Sequence, residues 1–552
     1  MTTTPTPRRV PVVIVGAGPV GVTAALLLAR QGVRSVLVER HRDVYPLPRA
    51  VAMDDEARRI LQAAGVHEGF AALARPARGL RLLDARHRVM ATFDRDTDQG
   101  HHGHPQTTLF DQPELERLLR RALAACGRCE LREGLEVTDV RQAPGGPVRV
   151  TVRPVDGGEP EYLWAEAVLG CDGANSLTRR VIGAAWEDLR FEERWMVLDA
   201  RTTLPVRSWG GVDQVCDPAR AASFMRIARD RYRWEFRLRE GEGVEGVTAE
   251  RRARELVRPW VQASRSEDFE ILKQVEYTFR ARLVDRWRQG RVFLLGDAAH
   301  QTPPFIGQGL CAGLRDAHNL AWKLARVLAG DADEELLDTY QSERRPHARE
   351  LIRLAVAMGW TMTGGRDRVA ALRGAALRTL FRLPGFTRVA GERLGRPIPV
   401  GPLVPRRGPT RTRLVGVSCP QPRVTVEGRR ALLDDVLGDG FALVTAVPPA
   451  PATRAVAVAL GARVVHVGPI GALPGETVVD DDGGLTDWLR RGRAQAVLLR
   501  PDRVVLDAVP AAGTLGDTPA WTSLLTTASV PRPPTTADPH DRPATPPHRS
   551  SS

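Results

Sequence analysis

The sequence has almost no lysine, little cysteine and no long apolar run. Only Lys273 and Lys323 are lysines, so 77 of the 79 basic residues are arginines, and the net charge of +13 is spread along the chain. Because no dense basic block with interleaved aromatic residues occurs, a nucleic-acid partner is not expected. No stretch approaches the roughly 18 apolar residues of a membrane-spanning helix, so no membrane span is expected either.

Cysteine is too scarce and scattered for a disulfide framework. Of the six cysteines, only Cys126 and Cys129 have the spacing of a redox motif. No second pair accompanies them, and we interpret the spacing as coincidence. Few, scattered thiols are typical of a reducing compartment, so we expect a cytoplasmic protein.

The chain is long enough for about three domains. Its 552 residues exceed one hydrophobic core, and a composition of 43% hydrophobic and 26% charged residues is that of a globular protein. Alternating strand and helix patterns predict an α/β fold, α+β overall, with a Rossmann-like nucleotide-binding domain interrupted by an antiparallel sheet. We divide the chain into nucleotide-binding segments at 8–80, 166–185 and 286–400 (the last with a helical linker), a mixed region at 81–165, an inserted sheet domain at 186–285, a small C-terminal α/β domain at 401–520 and a disordered tail at 521–552.

A dinucleotide-binding fingerprint opens the chain. The apolar strand pattern of residues 10–15 leads into a Gly-x-Gly-x-x-Gly turn, an apolar helix face, a second strand and Glu39. Gly16 permits the tight turn, Gly18 lets the backbone approach a pyrophosphate, and Gly21 lets helix and strand pack closely. Glu39 is placed to accept hydrogen bonds from ribose hydroxyls and would repel a phosphate. The pattern therefore predicts a nucleotide with free hydroxyls there, as in FAD or NAD.

A second candidate site lies in residues 290–324. An apolar strand pattern ends in Gly296-Asp297, and Gly307-Gln308-Gly309 precedes a helical stripe over 310–324. A glycine loop before a helix presents backbone N–H groups and the positive end of the helix dipole, which suits an electron-rich group. Asp297 suits a ribose-like hydroxyl chain.

The inserted sheet supplies candidate substrate residues. Tyr232 and Trp234 alternate with charged residues, which is the period of an amphipathic strand. Their face could cover a flat ring, while Arg226 and Arg233 could grip a carboxylate, since the guanidinium fork matches it. The alternative is that the aromatic face is plain core packing.

These motifs together resemble the single-component FAD-dependent aromatic hydroxylases, flavoprotein monooxygenases of the phenol hydroxylase type. The similarity is greatest to 3-(3-hydroxyphenyl)propionate hydroxylases and covers about residues 8 to 520. It implies an FAD-binding domain, a substrate-binding sheet domain and a thioredoxin-like C-terminal domain. The further stretches that carry the resemblance are Pro48-Arg49-Ala50, Met53-Asp54-Asp55-Glu56-Ala57, Cys171-Asp172-Gly173, Arg315-Asp316-Ala317, Asp338-Thr339-Tyr340-Gln341 and Arg500-Pro501-Asp502-Arg503.

The resemblance implies bound FAD and a transient electron donor, NADPH or NADH, that has no fold of its own. Asp172 and Arg179 would assist cofactor movement or the nicotinamide nucleotide, and the amides of Leu310 and Cys311 would face the flavin. Many relatives have Asn at position 311, which matters little if only the amide is used. The implied cofactor-binding residues are Gly16, Gly18, Gly21, Glu39, Arg40, Arg49, Gln112, Asp172, Asp297, Pro304, Gly307, Gln308, Gly309, Leu310 and Cys311.

The implied reaction is hydroxylation of a small phenol or aminophenol, expected to carry a carboxylate, by O₂ through a C4a-hydroperoxyflavin. The base is not identified; His300 is either a candidate or a packed residue. Alternatives are N-hydroxylation, epoxidation or Baeyer–Villiger oxidation in secondary metabolism, and a flavin-bound regulatory or carrier protein. The intact second flavin loop argues against a carrier. A homodimer is left open.

Overall fold

The computed structural model describes residues 8–46, 49–228, 230–261, 269–363, 398, 401–404, 412–468, 477–479, 483–510 and 521–525. The predicted helical linker beyond residue 363 and most of the predicted tail lie outside these ranges. Within them, no helix has the length and apolar character needed to cross a membrane.

The secondary structure comprises strands and helices that we number along the chain. The strands are β1 (Arg8–Val15), β2 (Ser35–Glu39), β3 (Ala52–Asp54), β4 (Arg75–Pro76), β5 (Gly79–Leu83), β6 (Val89–Asp94), β7 (Thr107–Leu109), β8 (Cys129–Glu133), β9 (Leu135–Gln142), β10 (Val148–Pro154), β11 (Glu161–Gly170), β12 (Trp186–Thr202), β13 (Val212–Val215), β14 (Ala222–Arg226), β15 (Arg231–Arg237), β16 (Phe269–Val284), β17 (Arg288–Gln289), β18 (Val292–Leu294), β19 (His300–Gln301), β20 (Arg423–Val426), β21 (Arg429–Leu432), β22 (Ala442–Thr445), β23 (Arg463–Val467), β24 (Thr477–Val479), β25 (Ala494–Leu499) and β26 (Val505–Pro510). The α-helices are α1 (Pro19–Arg30), α2 (Asp55–Ala63), α3 (His67–Leu73), α4 (Gln112–Ala125), α5 (Leu177–Val181), α6 (Gly246–Val257), α7 (Gly309–Ala329), α8 (Asp338–Thr363), α9 (Leu433–Leu437), α10 (Pro451–Ala459), α11 (Gly484–Arg491) and α12 (Thr522–Leu525).

The nucleotide-binding domain is built on a largely parallel sheet in the order β17-β18-β11-β1-β2-β8, with β10 and β9 added to β11 as an antiparallel meander. The apolar run at Val12, Val13 and Ile14 is fully buried, because a central parallel strand is covered on both faces. The carboxyl ends of β1, β11 and β18 meet at one edge: Cys171 N donates to Val15 O (2.9 Å), and Leu295 N donates to Gly170 O (3.0 Å). The three loops that carry the predicted motifs therefore lie together.

The second sheet has the order β19-β16-β12-β15-β14-β13-β5-β6 and is antiparallel except where β13 pairs with β5. Its two outermost strands on one side, β5 and β6, come from residues 79–94, which the sequence analysis divided between the first nucleotide-binding segment and the mixed region. The inserted sheet is therefore completed by a hairpin that precedes it by about a hundred residues.

The C-terminal domain has a five-stranded sheet in the order β24-β23-β22-β25-β26. β22, β23 and β24 run parallel, while β25 and β26 are antiparallel, with α10 and α11 between strands. This mixed α/β arrangement agrees with the thioredoxin-like expectation. Cys419 is the only cysteine of this part of the sequence, so it has no dithiol pair.

Helix α8 contains a proline in its interior. It runs from Asp338 through Pro346 to Thr363 without a break. Proline removes one backbone donor and crowds the preceding turn. Here the buried side of the helix belongs to the core of the nucleotide-binding domain on both sides of that position, through Tyr340, Ala348 and Ile352.

Candidate active site

A cavity of about 1350 Å³ lies between the edge of the parallel sheet, the second sheet and the C-terminal domain. The motif loops, the second sheet and the C-terminal domain all contribute to its lining. The motif loops contribute Gly18, Asp297, Pro304, Gly307, Gln308, Gly309 and Leu310; the second sheet contributes Leu80, Phe93, Val212, Gln214, Ser223, Met225 and Glu235; and the C-terminal domain contributes Gly416, Val417 and Ser418.

The fingerprint turn is shaped for a close approach of a ligand. Gly16 has φ +98°, and a Cβ there would lie 2.6 Å from Cys171 O. A Cβ on Gly21 would lie 2.1 Å from Gly16 O, so side chains are excluded at both positions. A Cβ on Gly18 would meet no protein atom within 4 Å, because Gly18 faces the cavity. The open space beside Gly18, next to the N-terminus of α1, fits a pyrophosphate.

Glu39 lies at the end of β2 beside this turn. Its carboxylate accepts from Ala17 N (2.8 Å) and His41 N (3.0 Å), and these two bonds fix its position. A carboxylate has further acceptor sites for ribose hydroxyls. The neighbouring Arg40 is exposed, donates to His41 Nε2 (3.2 Å) and does not line the cavity.

Asp297 projects into the cavity from the turn after β18. The side chain of Asp297 is exposed to the cavity, but the cavity itself is enclosed by protein. This enclosure raises the pKa of Asp297, and the charges of His300 and Arg49 oppose the rise. Among the described residues, no group donates a hydrogen bond to its carboxylate. An acceptor of this kind fits the hydroxyl groups of a flavin ribityl chain or ribose.

The N-terminus of α7 also faces the cavity. The first bond within the helix is from Ala312 N to Gln308 O (2.9 Å), so the amides of Gly309, Leu310 and Cys311 have no acceptor inside the helix. Gly307 has φ +65° and turns the chain into this helix. Cys311 is buried, which raises the pKa of its thiol and keeps it neutral. The three backbone amides at the N-terminus of α7 together fit an electron-rich carbonyl of a flavin ring.

Arg49 and Gln112 are brought together on another wall of the cavity. Gln112 Oε1 accepts from Arg49 N (3.1 Å) and Ala50 N (2.7 Å), and Arg49 O accepts from Arg233 Nη1 (3.0 Å). The Arg49 guanidinium lies 5.2 Å from the centre of the Tyr45 ring. The backbone of this loop is therefore fixed, while the Arg49 side chain lies along the cavity.

Asp172 and Arg179 lie behind the cavity wall rather than on it. Asp172 accepts from Ser176 Oγ (2.5 Å) and Thr178 N (2.9 Å), and so holds the start of α5. Arg179 donates to Ala174 O (2.9 Å) and lies over the Trp186 ring. These contacts position the loop that contains Cys171, which does line the cavity.

His300 is fully buried and does not line the cavity. Its Nε2 lies 2.7 Å from Asp316 Oδ2, and its ring stacks on Trp287 at 5.4 Å between centres. Asp316 Oδ2 also accepts from Gly296 N (3.1 Å). The pair thus supports the Gly296-Asp297 turn, and the geometry favours the packed-residue alternative for His300.

The four predicted substrate residues do not line the cavity. Tyr232 and Trp234 point to the opposite face of the sheet, where they form a core with Phe224, whose ring centre lies 5.2 Å from that of Trp234. Arg226 donates to Ala228 O (3.1 Å). Arg233 is buried, and its Nε and Nη2 donate to the two carboxylate oxygens of Asp199 at 2.7 and 2.8 Å.

The error has a physical reason. Alternation of side chains with a period of two shows that a strand has two different faces, but it does not show which face is turned toward a ligand. Here α6 and Trp260 cover the aromatic face, while the face that carries Glu235 lines the cavity. The missed residues Gln214, Ser223 and Met225 lie on neighbouring strands, and only the register between strands brings them beside Glu235.

Comparison with known proteins identifies the family. A model described as FAD binding domain matches residues 9–355, and one described as HcaD C-terminal domain matches residues 416–520. The chain is 34% identical over 518 residues to a probable NADH-specific resorcinol 4-hydroxylase of Rhodococcus jostii (strain RHA1), covering 92% of this chain and 94% of that protein. It is 35% identical over 514 residues to a 3-(3-hydroxy-phenyl)propionate/3-hydroxycinnamic acid hydroxylase of Mycobacterium sp. (strain KMS), covering 90% and 88% of the two chains.

A solved structure agrees with this assignment. The ternary complex of aklavinone-11 hydroxylase with FAD and aklavinone superposes with a TM-score of 0.75 at 26% identity, over 94% of this chain and 99% of that one. The chain therefore belongs to the FAD-dependent aromatic hydroxylases. It is an FAD-dependent monooxygenase, as its sequence motifs indicated, and its relatives do not favour the alternative oxidations.

Proposed function

We propose that this protein hydroxylates a small phenol with O₂ and NADH, and that the ring lies between the flavin and the second sheet. One observation carries the proposal: a single cavity joins the motif loops at Gly18, Asp297 and the N-terminus of α7 to the second sheet. The sheet forms the floor of this cavity, with apolar residues such as Met225 and polar residues such as Ser223 and Glu235. Bound FAD supplies reduction by the nicotinamide nucleotide and activation of O₂. The chain supplies the cradle, the ring site and a space that excludes bulk water.

The volume supports this arrangement. A site for one small ligand usually measures about 300–1,000 Å³. The cavity of about 1350 Å³ is larger, and its lining runs from the pyrophosphate turn to the sheet. It therefore has room for a dinucleotide and an aromatic ring together. The two relatives described above, named for resorcinol and for a hydroxyphenylpropionate, support a phenol as the substrate class.

The proposal includes a carboxylate on the substrate, held by Arg95 rather than by Arg226 or Arg233. Arg49, Arg315 and Arg344 also line the cavity. Arg315 and Arg344 are each already paired with an acid, and Arg49 lies in the loop that we assign to the cofactor side. Among the described residues, Arg95 has no acid within ion-pair distance, and burial lowers its pKa. A carboxylate beside it would offset the cost of that unpaired charge.

The test measures NADH oxidation and product formation by the FAD-loaded protein with resorcinol and with 3-(3-hydroxyphenyl)propionate. We expect either phenol to stimulate NADH oxidation and to yield a dihydroxy or trihydroxy product. Absence of an oxygenated product from every phenol tried, despite bound FAD, would refute the function.

The carboxylate is tested with Arg95→Gln. We expect the ratio of the KM for 3-(3-hydroxyphenyl)propionate to the KM for resorcinol to be at least tenfold higher in the variant than in the wild type. The reason is that a charge-assisted hydrogen bond contributes roughly 1.5–3 kcal/mol. An equal KM ratio in the two proteins would remove Arg95 from substrate recognition. A rise in the KM for NADH alone would assign Arg95 to the nucleotide.

A further inference from the structure

Three polar side chains form a row on the cavity floor. Ser223 on β14 pairs with Gln214 on β13 and with Glu235 on β15, so the three lie side by side at the strand spacing of about 4.8 Å. All three line the cavity, with exposures of only 3%, 3% and 7% for Ser223, Gln214 and Glu235. The row is therefore a feature of the site and not of the outer surface.

The row is tied to the flavin loop. Gln214 Nε2 donates to Phe305 O (2.7 Å), in the short turn that precedes Gly307 and the N-terminus of α7. That turn is one of the segments that cradle the cofactor. A ring bound over the row would consequently lie next to the flavin.

The carboxylate of Glu235 lines the cavity, and no described residue donates a hydrogen bond to it. Among the described residues, neither its carboxylate nor the Ser223 hydroxyl makes a side-chain hydrogen bond. A buried acceptor without a donor is costly, and a ligand hydroxyl would remove that cost. In the same face of the sheet, the charge of Arg233 is already neutralised by its paired bonds to Asp199.

The surroundings of Glu235 make its carboxylate a stronger base than an exposed one. Burial raises its pKa, an effect that Arg233 on the same strand and Lys273 on β16 oppose and Asp199 on β12 reinforces. A carboxylate with a raised pKa takes up a proton more readily than an exposed one, and general bases work best near the operating pH.

We propose that Glu235 is the catalytic base that accepts the proton of the substrate's hydroxyl group; this rests on the proposed function. The phenolic O–H bond breaks and a carboxyl O–H bond forms. The electron pair of the broken bond moves into the ring and makes its ortho or para carbon nucleophilic toward the transferred oxygen atom. Over the whole turnover, phenol, O₂, NADH and a proton give dihydroxy product, NAD⁺ and water, and Glu235 returns its proton.

The test uses the FAD-loaded Glu235→Gln variant, which keeps the shape of the side chain and removes its basicity. We expect the rate of hydroxylation of 3-(3-hydroxyphenyl)propionate to fall about 10²–10⁴-fold, the usual contribution of a general base. Substrate affinity and the visible spectrum of bound FAD should stay close to wild type. NADH oxidation should continue, with H₂O₂ released in place of product.

Two readouts separate a base from a structural residue. Hydroxylation by the wild type should fall as the pH drops and Glu235 becomes protonated, and the glutamine variant should lack this acid limb. A phenol fluorinated beside its hydroxyl ionises more readily, so it should lose less rate in the variant than the parent phenol does. Glu235→Asp keeps a carboxylate and should retain part of the rate and the acid limb.

Glu270→Gln is the matched control, because Glu270 lies on β16 of the same sheet but is exposed, and within the described ranges its side chain bonds only to Arg201. It should behave as the wild type. If Glu235→Gln keeps the wild-type rate, coupling and acid limb, the inference is overturned while the phenol hydroxylase function stands. If the wild type hydroxylates no phenol, both are overturned.

Discussion

Asp297 and Asp54 both line the cavity, but only one of them has protein partners. Asp54 accepts from Ala57 N (2.9 Å) at the start of α2 and from Arg315 Nη2 (2.5 Å). Among the described residues, Asp297 accepts no hydrogen bond. Asp54 therefore has a structural role that does not depend on a ligand, whereas the buried acceptor capacity of Asp297 is directed at one.

Replacing Asp297 by Ala should weaken FAD binding and leave the fold unchanged. Loss of charge-assisted hydrogen bonds to flavin hydroxyls costs roughly 1.5–3 kcal/mol, which at the upper end is about a hundredfold in Kd. FAD fluorescence titration of the apoprotein measures this, with Asp139→Ala, which removes a half-buried carboxylate on β9 outside the cavity, as the control. An unchanged Kd for Asp297→Ala would show that the carboxylate does not touch the cofactor.

The fingerprint glycines should respond differently to the same substitution. Gly18→Val should fold but not bind FAD, since a Cβ there meets no protein atom within 4 Å and the added side chain fills the space beside the turn. Gly21→Val should impair folding itself, because its Cβ would lie 2.1 Å from Gly16 O. Circular dichroism and thermal unfolding of the two apoproteins, with FAD titration, separate these outcomes. Tight FAD binding by Gly18→Val would place the pyrophosphate elsewhere.

Glu235 should also affect stability in a pH-dependent way. Burial raises the pKa of Glu235 in the folded state above its value in the unfolded state. Ionisation of Glu235 therefore lowers the free energy of unfolding as the pH rises from the unfolded pKa to the folded pKa, and the full loss is reached above the folded pKa. Glu235→Gln removes this penalty and should raise the Tm of the apoprotein at neutral pH. The gain should vanish in acid, where the carboxyl is neutral in both states. A lower Tm at neutral pH would mean that the ionised carboxylate is stabilised by its surroundings.

At the scale of secondary structure elements, the sequence predicted local patterns well. The strand, turn and helix from residue 8 to 39 follow from a continuous apolar run, three spaced glycines and a helical stripe, and the structure has β1, α1 and β2 in that order. Asp54 directly precedes α2 and caps it by accepting from Ala57 N. Each of these depends on neighbours within a few residues, which a single sequence contains.

The cavity floor depends on relations that the sequence does not display. Glu235 becomes a site residue only because β15 pairs with β14, and β14 with β13, in a particular register. The hairpin β5–β6 joins the same sheet through a parallel pairing with β13. Period two identified the strand at Tyr232 and Trp234 correctly, but long-range packing by α6 decided which face became the core.

At the scale of the whole molecule, a buried charged cluster joins the C-terminal domain to the FAD-binding domain. Arg500 follows β25 and donates to both carboxylate oxygens of Glu343 on α8, at 2.7 and 3.0 Å. Lys323 Nζ on α7 donates to the same carboxylate (2.9 Å). These cations hold the pKa of Glu343 down at about 2 although burial opposes them. Because α7 begins at the flavin loop, the docked domain is connected to the site.

Breaking this cluster should loosen the domain contact. Glu343→Gln removes the shared partner of the buried Arg500 and Lys323 and leaves Arg500 paired with Asp502 alone. Removing one member of a buried pair typically costs about 3–5 kcal/mol. Calorimetry at neutral pH should show a lower Tm for the variant than for the wild type, with the C-terminal domain unfolding in a separate, earlier transition. Asp338→Asn removes an exposed partner of Arg288 and should cost at most about 1 kcal/mol.

The pH dependence gives a further check on Glu343. Its folded-state pKa is depressed, so its stabilising contribution is present above its unfolded pKa and is lost as the pH falls toward about 2. The difference in unfolding free energy between the wild type and Glu343→Gln should thus be largest near neutral pH and shrink in acid. A difference that stays constant from neutral to acid pH would show that shape and packing at position 343, rather than its charge, hold the two domains together.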